Sequence, residues 1–132
     1  MLLVDTNVLV DVLQDDPEWA PWSIQQLRAQ AQIHQLAINP VIYSELALSF
    51  TTLEMLDRAL ARMQLSFQEI PRAALFLAGK AFAQYRRRGG NKTQVPPDFF
   101  IGAHAAVQGW PLLTRDAARF TTYFPGLRVV AP

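Results

Sequence analysis

Leu2-Leu3-Val4, Leu36-Ala37-Ile38 and Leu112-Leu113-Thr114 constrain this chain most. Each run is too short for a helix and apolar without alternation, the pattern of a strand buried on both faces. Between them lie segments with helical spacing. Thr6-Asn7 opens Val8-Leu9-Val10-Asp11-Val12-Leu13. Pro17 and Pro21 suit the first turns of a helix reaching about Gln32, and Asn39-Pro40 forms an N-cap and first-turn pair for a helix through Tyr43, Glu45 and Leu48.

Thr51 with Glu54 has the form of a capping box ahead of Leu53, Leu56, Leu60 and Met63. Phe67 to Ile70 reads as a third strand. Pro71 starts a long helix that Gly89-Gly90 stops, and Pro97-Asp98 begins another that ends near Gly109. A short helix around Ala117 to Phe120 precedes a last strand near Val129-Val130. Short strands alternating with helices predict a single three-layer α/β/α domain over residues 1–132, with a central, mostly parallel sheet. In such sheets ligands bind at the carboxyl ends of the strands.

That expectation singles out four of the acids. Asp5 follows Leu-Leu-Val, and Asp116 follows Leu112-Leu113-Thr114-Arg115, so both surface at the same edge of the sheet. Glu45 lies inside an apolar helix, on a face with Val41, Ile42 and Leu48. Asp98 occupies the first turn of its helix, before Phe99-Phe100-Ile101, where the helix dipole favours a carboxylate. Each acid also has an ordinary structural explanation: Asp5 and Asp116 as caps, Asp98 as a first-turn acid, Glu45 as the partner of an arginine. Four such coincidences at one edge favour a joint role. Asp11 reads as a surface residue.

Clustered carboxylates repel unless some stay protonated or a cation intervenes. The chain has no cysteine, and His34 and His104 read as structural or exposed, so the donors are oxygen atoms. Such a set selects Mg²⁺ or Mn²⁺ over zinc, and phosphodiester hydrolysis is the reaction class that fits it. The absence of cysteine also excludes disulfides and a thiolate nucleophile.

The formal charge of +1 hides two opposed regions. Residues 1 to 20 hold five acids and no Lys or Arg, whereas residues 72 to 97 hold six bases and no acid. Arg86, Arg87, Arg88 and Lys92, just ahead of Asp98, are the candidate phosphate contacts, although cations at a helix C-terminus also complement its dipole. Trp19, Trp22 and Trp110 read as core or interface. A hydrophobic content of 51% leaves room for a partner to cover part of the surface. No basic segment with an apolar stretch follows Met1, and no apolar run approaches a bilayer span, so a cytoplasmic protein is expected.

Leu3-Val4-Asp5-Thr6-Asn7-Val8-Leu9, Ser44-Glu45-Leu46, Pro97-Asp98-Phe99-Phe100-Ile101-Gly102-Ala103 and Leu113-Thr114-Arg115-Asp116-Ala117-Ala118-Arg119-Phe120 resemble, in this order, the PIN-domain ribonucleases. Within them they look most like VapC-type toxins of toxin–antitoxin pairs. The resemblance covers essentially the whole chain. It implies a metal-dependent endoribonuclease in which Asp5, Glu45, Asp98 and Asp116 match the family's acidic residues. Asp5 and Asp98 are the ligands, Glu45 comes next, Asp116 acts through water, and Asn7 and Thr114 stand beside the site. It also implies an RNA substrate, a homodimer, and a cognate antitoxin whose C-terminal tail lies along the site. The alternatives are a PIN-like nuclease that is not a toxin, or a nucleic-acid-binding module without strong catalysis. A phosphatase of the haloacid-dehalogenase type would need an acid where Asn7 stands, and a receiver domain would need an early acidic pair and a lysine at a strand end; the chain lacks both.

Overall fold

The computed structural model describes residues 1–132. In chain order the elements are β1 (Leu2–Val4), α1 (Thr6–Leu13), α2 (Ala20–Ala31), β2 (Leu36–Ile38), α3 (Pro40–Leu46), α4 (Leu53–Arg62), β3 (Ser66–Phe67), α5 (Arg72–Arg87), α6 (Pro97–Gln108), β4 (Leu112–Leu113), α7 (Ala118–Thr121) and β5 (Val129–Val130). The strands form one sheet in the order β3-β2-β1-β4-β5. Every pairing is parallel, so the sheet is parallel throughout.

The order decides where a site can form. The chain winds outward from β1 through β2 to β3, then crosses back and winds the other way through β4 and β5. The switch point lies between β1 and β4, where the connections on either side diverge and leave a crevice at the carboxyl ends. Leu3 pairs with Leu112 and Val4 with Leu113, so the residues that follow, Asp5 and Thr114, emerge side by side. The backbone N–H of Asp5 donates to Leu113 O at 2.8 Å, extending the ladder to the edge of the crevice.

Helices on both faces explain the unbroken apolar strands. Leu2, Leu3, Val4, Ala37, Ile38, Leu112 and Leu113 are fully buried, beneath Ile42 and Leu46 of α3 and Ile101 of α6. Gly102 lets α6 approach α7 closely: a Cβ there would lie 2.6 Å from the Phe124 ring and 3.1 Å from that of Phe120. No helix is long and apolar enough to cross a membrane.

Local chemistry sets the boundaries. Asn39 caps α3, its Oδ1 accepting from the Ile42 N–H at 2.9 Å, with Pro40 following. Gly109, at φ 69°, closes α6 in the left-handed conformation. Three details differ from the sequence reading. Thr52 rather than Thr51 caps α4, accepting from the Met55 N–H. The edge strand β3 is Ser66–Phe67, because the chain must leave the sheet to reach Pro71, which caps α5. α3 ends at Leu46 in a 3₁₀ turn over Ala47–Ser49, which carries Leu48 outward to 90% exposure, away from the face it was expected to share with Glu45.

Candidate acidic site at the switch point

Asp5 ends β1 and caps α1, one oxygen accepting from the Thr6 N–H at 2.8 Å. Its other oxygen accepts from the Thr114 hydroxyl, also at 2.8 Å, and the residue is only 3% exposed. No cation pairs with it. Burial, assisted by the charges of Asp98 and Glu45, pushes its carboxyl up to about 6, against the opposing effect of the Thr114 and Thr6 hydrogen bonds.

The other predicted acids come to the same place from separate elements. Glu45 reaches back from α3 and accepts from the Thr6 hydroxyl at 2.6 Å. Asp98 stands in the first turn of α6, where the helix dipole favours a carboxylate. Burial raises its carboxyl above the usual range; Arg119 opposes the shift and Asp116 adds to it. Asp116 is more exposed, and its N–H donates to the Thr114 hydroxyl at 3.1 Å. Asn7 and Thr114 stand together as expected. Asn7 Oδ1 accepts from the Arg115 N–H at 3.3 Å, while its amide makes only a marginal contact of 3.5 Å to Thr114.

Thr114 is the hinge of this network. Its hydroxyl donates to Asp5 and accepts from Asp116, tying the segment after β4 to the end of β1. Hydroxyls and carboxylates supply only hard oxygen donors, the chemistry that suits Mg²⁺ or Mn²⁺. A buried Asp5 beside further carboxylates also calls for positive charge. The donor chemistry therefore fits a divalent metal, although no three acids are drawn close enough together to enclose one.

Arg119 bridges two of the acids: its Nη1 lies 3.1 Å from Asp98 Oδ2 and its Nε 2.9 Å from Asp116 Oδ2. Arg119 is not among the site residues expected from the sequence, although it follows Asp116 by three positions, across the start of α7.

Asp11 corrects the sequence reading. It is not a surface residue but 2% exposed, because it stands one turn beyond buried Val8 on the inner face of α1. Ser23 Oγ donates to its Oδ2 at 2.9 Å, and Arg115 Nε lies 2.7 Å from the same oxygen, a close charge contact rather than an aligned hydrogen bond. The Arg115 guanidinium also covers the ring of Trp19, 5.2 Å from its centroid. Asp11 thus fastens the same segment after β4 that carries Thr114 and Asp116.

His104 stays outside this chemistry. It is fully buried on α6, and its Nδ1 lies 3.2 Å from Asn39 Nδ2. Asn39 Oδ1 is committed to the α3 cap, so its amide nitrogen donates and the ring proton is assigned to Nε2. Burial lowers the affinity of the ring for a second proton.

The basic segment lies at the end of α5. Arg86 Nη1 donates to Lys92 O at 2.6 Å, and Arg88 stands over the Tyr123 ring. Tyr85 Oη accepts from the Asn91 and Lys92 N–H groups, folding the loop onto its ring. Gly90 makes this approach possible, because a Cβ there would overlap the Tyr85 ring.

A five-stranded parallel sheet with acids gathered near its switch point defines the class, an α/β domain. The chain belongs to the PIN domain family, whose model matches residues 2–123. No curated protein sequence matches it. Among solved structures it is similar to a VapBC complex from Rickettsia felis bound to a promoter DNA fragment, at TM-score 0.75 and 18% identity over 99% of this chain and 98% of that one. It is similar also to a VapBC complex from nontypeable Haemophilus influenzae, at TM-score 0.74 and 17% identity over 98% and 96%. A toxin–antitoxin complex from Klebsiella pneumoniae matches at TM-score 0.66 and 23% identity over 100% and 98%. At such identities these likenesses describe the shared fold.

Proposed function

We propose that this PIN-domain protein is a Mg²⁺- or Mn²⁺-dependent endoribonuclease and the toxin of a toxin–antitoxin pair. The observation that carries the reading is Asp5: a carboxylate 3% exposed, without a cation, facing the charges of Asp98 and Glu45 at the switch point of the sheet. A protein gains nothing in stability from such an arrangement. The full-length likeness to toxin–antitoxin complexes supports the toxin assignment.

In this reading Asp5 and Asp98 hold the metal. When bound, it lowers the pKa of a water molecule and stabilises charge at the phosphoryl group. Glu45 and Asp116 orient the attacking water and take up its proton. Thr114 and Asn7 keep Asp5 and the segment after β4 in register. Arg86, Arg87, Arg88 and Lys92 grip the RNA backbone. The partners are a second copy of the chain and a cognate antitoxin in the cytoplasm. Leu53 and Met55 on α4, with Phe76 on α5, expose the apolar surface such partners would cover, whereas Leu56 and Leu60 of the same α4 stripe are spent on the core.

The decisive experiment incubates purified, partner-free protein with RNA in the presence of Mg²⁺, Mn²⁺ or chelator. Metal-dependent cleavage is expected. Its absence would favour the second reading, a nucleic-acid-binding module with little catalysis, to which the Arg119 contacts with two of the acids lend some support. A short antitoxin-like reading frame beside this one would separate a toxin from a housekeeping nuclease.

A further inference from the structure

We propose that Arg119 is a built-in counter-ion of the acidic site, holding Asp98 and Asp116 in the metal-free protein and released when a divalent cation binds. The inference rests on the reading that the acidic site, through Asp5 and Asp98, takes a metal.

Asp98 and Asp116 come from different elements, the start of α6 and the segment after β4, yet one guanidinium contacts an oxygen of each. Two carboxylates against one positive charge leave a net negative charge. Asp5 has no share in the neutralisation, because its oxygens are taken by Thr6 and Thr114 and no cation pairs with it. A divalent ion held by Asp98 offers twice the charge to a carboxylate that the guanidinium already contacts, so the two cations compete.

The arginine is placed to yield. Its side chain is 55% exposed, and it belongs to the four-residue helix α7, which is fixed to the core through fully buried Phe120. The guanidinium can swing into solvent without unpacking anything. Exposed ion pairs are weak, so the competition is modest: two of them reduce metal affinity by about three- to tenfold.

The test measures Mn²⁺ binding by calorimetry, with no RNA present, on the parent protein and on Arg119→Gln, Arg119→Lys and Arg58→Gln. Arg58 lies on α4 and controls for net charge. Arg119→Gln should bind Mn²⁺ about three- to tenfold more tightly, Arg119→Lys should fall between, and Arg58→Gln should stay within about twofold of the parent. In chelator Arg119→Gln should melt below the parent and gain more from saturating Mn²⁺. Equal or weaker binding by Arg119→Gln, where the parent binds, overturns the counter-ion role and leaves the metal site standing. No binding by the parent or any Arg119 variant overturns both. Should the glutamine variant fail to fold, Arg119→Lys binding no more tightly than the parent is the overturning result.

Discussion

Two buried aspartates belong to the first turns of the chain, Asp5 capping α1 and Asp11 within it, and they are treated in opposite ways. Asp11 is 2% exposed and meets the Arg115 guanidinium and the Ser23 hydroxyl. Asp5 is 3% exposed and meets hydrogen-bond donors but no cation, while two further acids add to its burden. Burial is the same; compensation is not. A paired buried carboxylate can serve architecture, whereas an unpaired one carries a cost that folding alone does not explain. The pair at Asp11 serves the frame, and the uncompensated Asp5 is what motivates the proposed site.

The largest effect separates the two in activity. Asp98→Asn removes a charge from the Asp5 side of the comparison and should keep the fold, since Asp98 is only half-buried. Metal-dependent RNA cleavage should fall by about a hundredfold or more. Circular dichroism and gel-based cleavage assays check both halves, and unchanged activity in a folded variant would sink the site assignment.

The next effect separates them in stability. Arg115→Met keeps an apolar stem against Trp19 but leaves Asp11 buried with only Ser23. Urea unfolding should show a loss of about 2–3 kcal/mol. The double change Asp11→Leu with Arg115→Met removes both charges and should recover most of that loss, because an apolar pair can replace a buried ion pair at little cost. If the double variant is no better than the single, the pair is not what holds the segment after β4.

A third prediction uses pH. The carboxyl of Asp5 titrates near 6 in the folded protein, against about 3.9 in an unfolded chain. Between those values the folded state binds the extra proton, so stability falls as pH rises from about 4 to 6 and stays lowered above it. The penalty is on the order of 2–3 kcal/mol. Asp98 acts in the same sense, and His104 in the opposite one, since a ring that resists protonation costs stability at acid pH. The difference between the parent and Asp5→Asn isolates Asp5. In chelator that difference should grow through this window, and a flat difference would show that Asp5 is not held unpaired.

Which parts of this could be read in advance follows from the same contrast. Asp5 and Asp116 were legible because apolar runs of two or three residues announce strand ends, and parallel strands gather their ends at one edge. Asn39-Pro40 and Gly109 were legible as helix punctuation. Asp11 was misread because a charged residue in a short helix looks solvated by default. Its cue was periodic, one turn beyond Val8, but its partner Arg115 lies 104 residues further along the chain. The Thr6 contact with Glu45 and the Arg119 bridge were hidden for the same reason: both depend on how α3, α6 and α7 meet over the sheet. Local chemistry writes itself into sequence, and distant pairing does not.

The smallest effect concerns the basic segment, where pairing again sorts the residues. Arg86 is engaged with Lys92 O and Arg88 with the Tyr123 ring, while Arg87 makes neither kind of contact and stands exposed in the last turn of α5. Arg87 is therefore the cation that can meet a phosphate without first giving something up. Each phosphate contact to a single strand contributes about 0.7 to the slope of log affinity against log salt. Arg87→Ala should lower that slope by about this amount, and the triple change to alanine by about 2. Fluorescence anisotropy with a short single-stranded RNA in chelator measures binding without cleavage. A triple variant that binds as tightly as the parent at low salt would remove this segment from the RNA path, whereas a full loss from Arg86→Ala alone would mean that the loop anchored on Lys92, rather than its charge, is what the RNA meets.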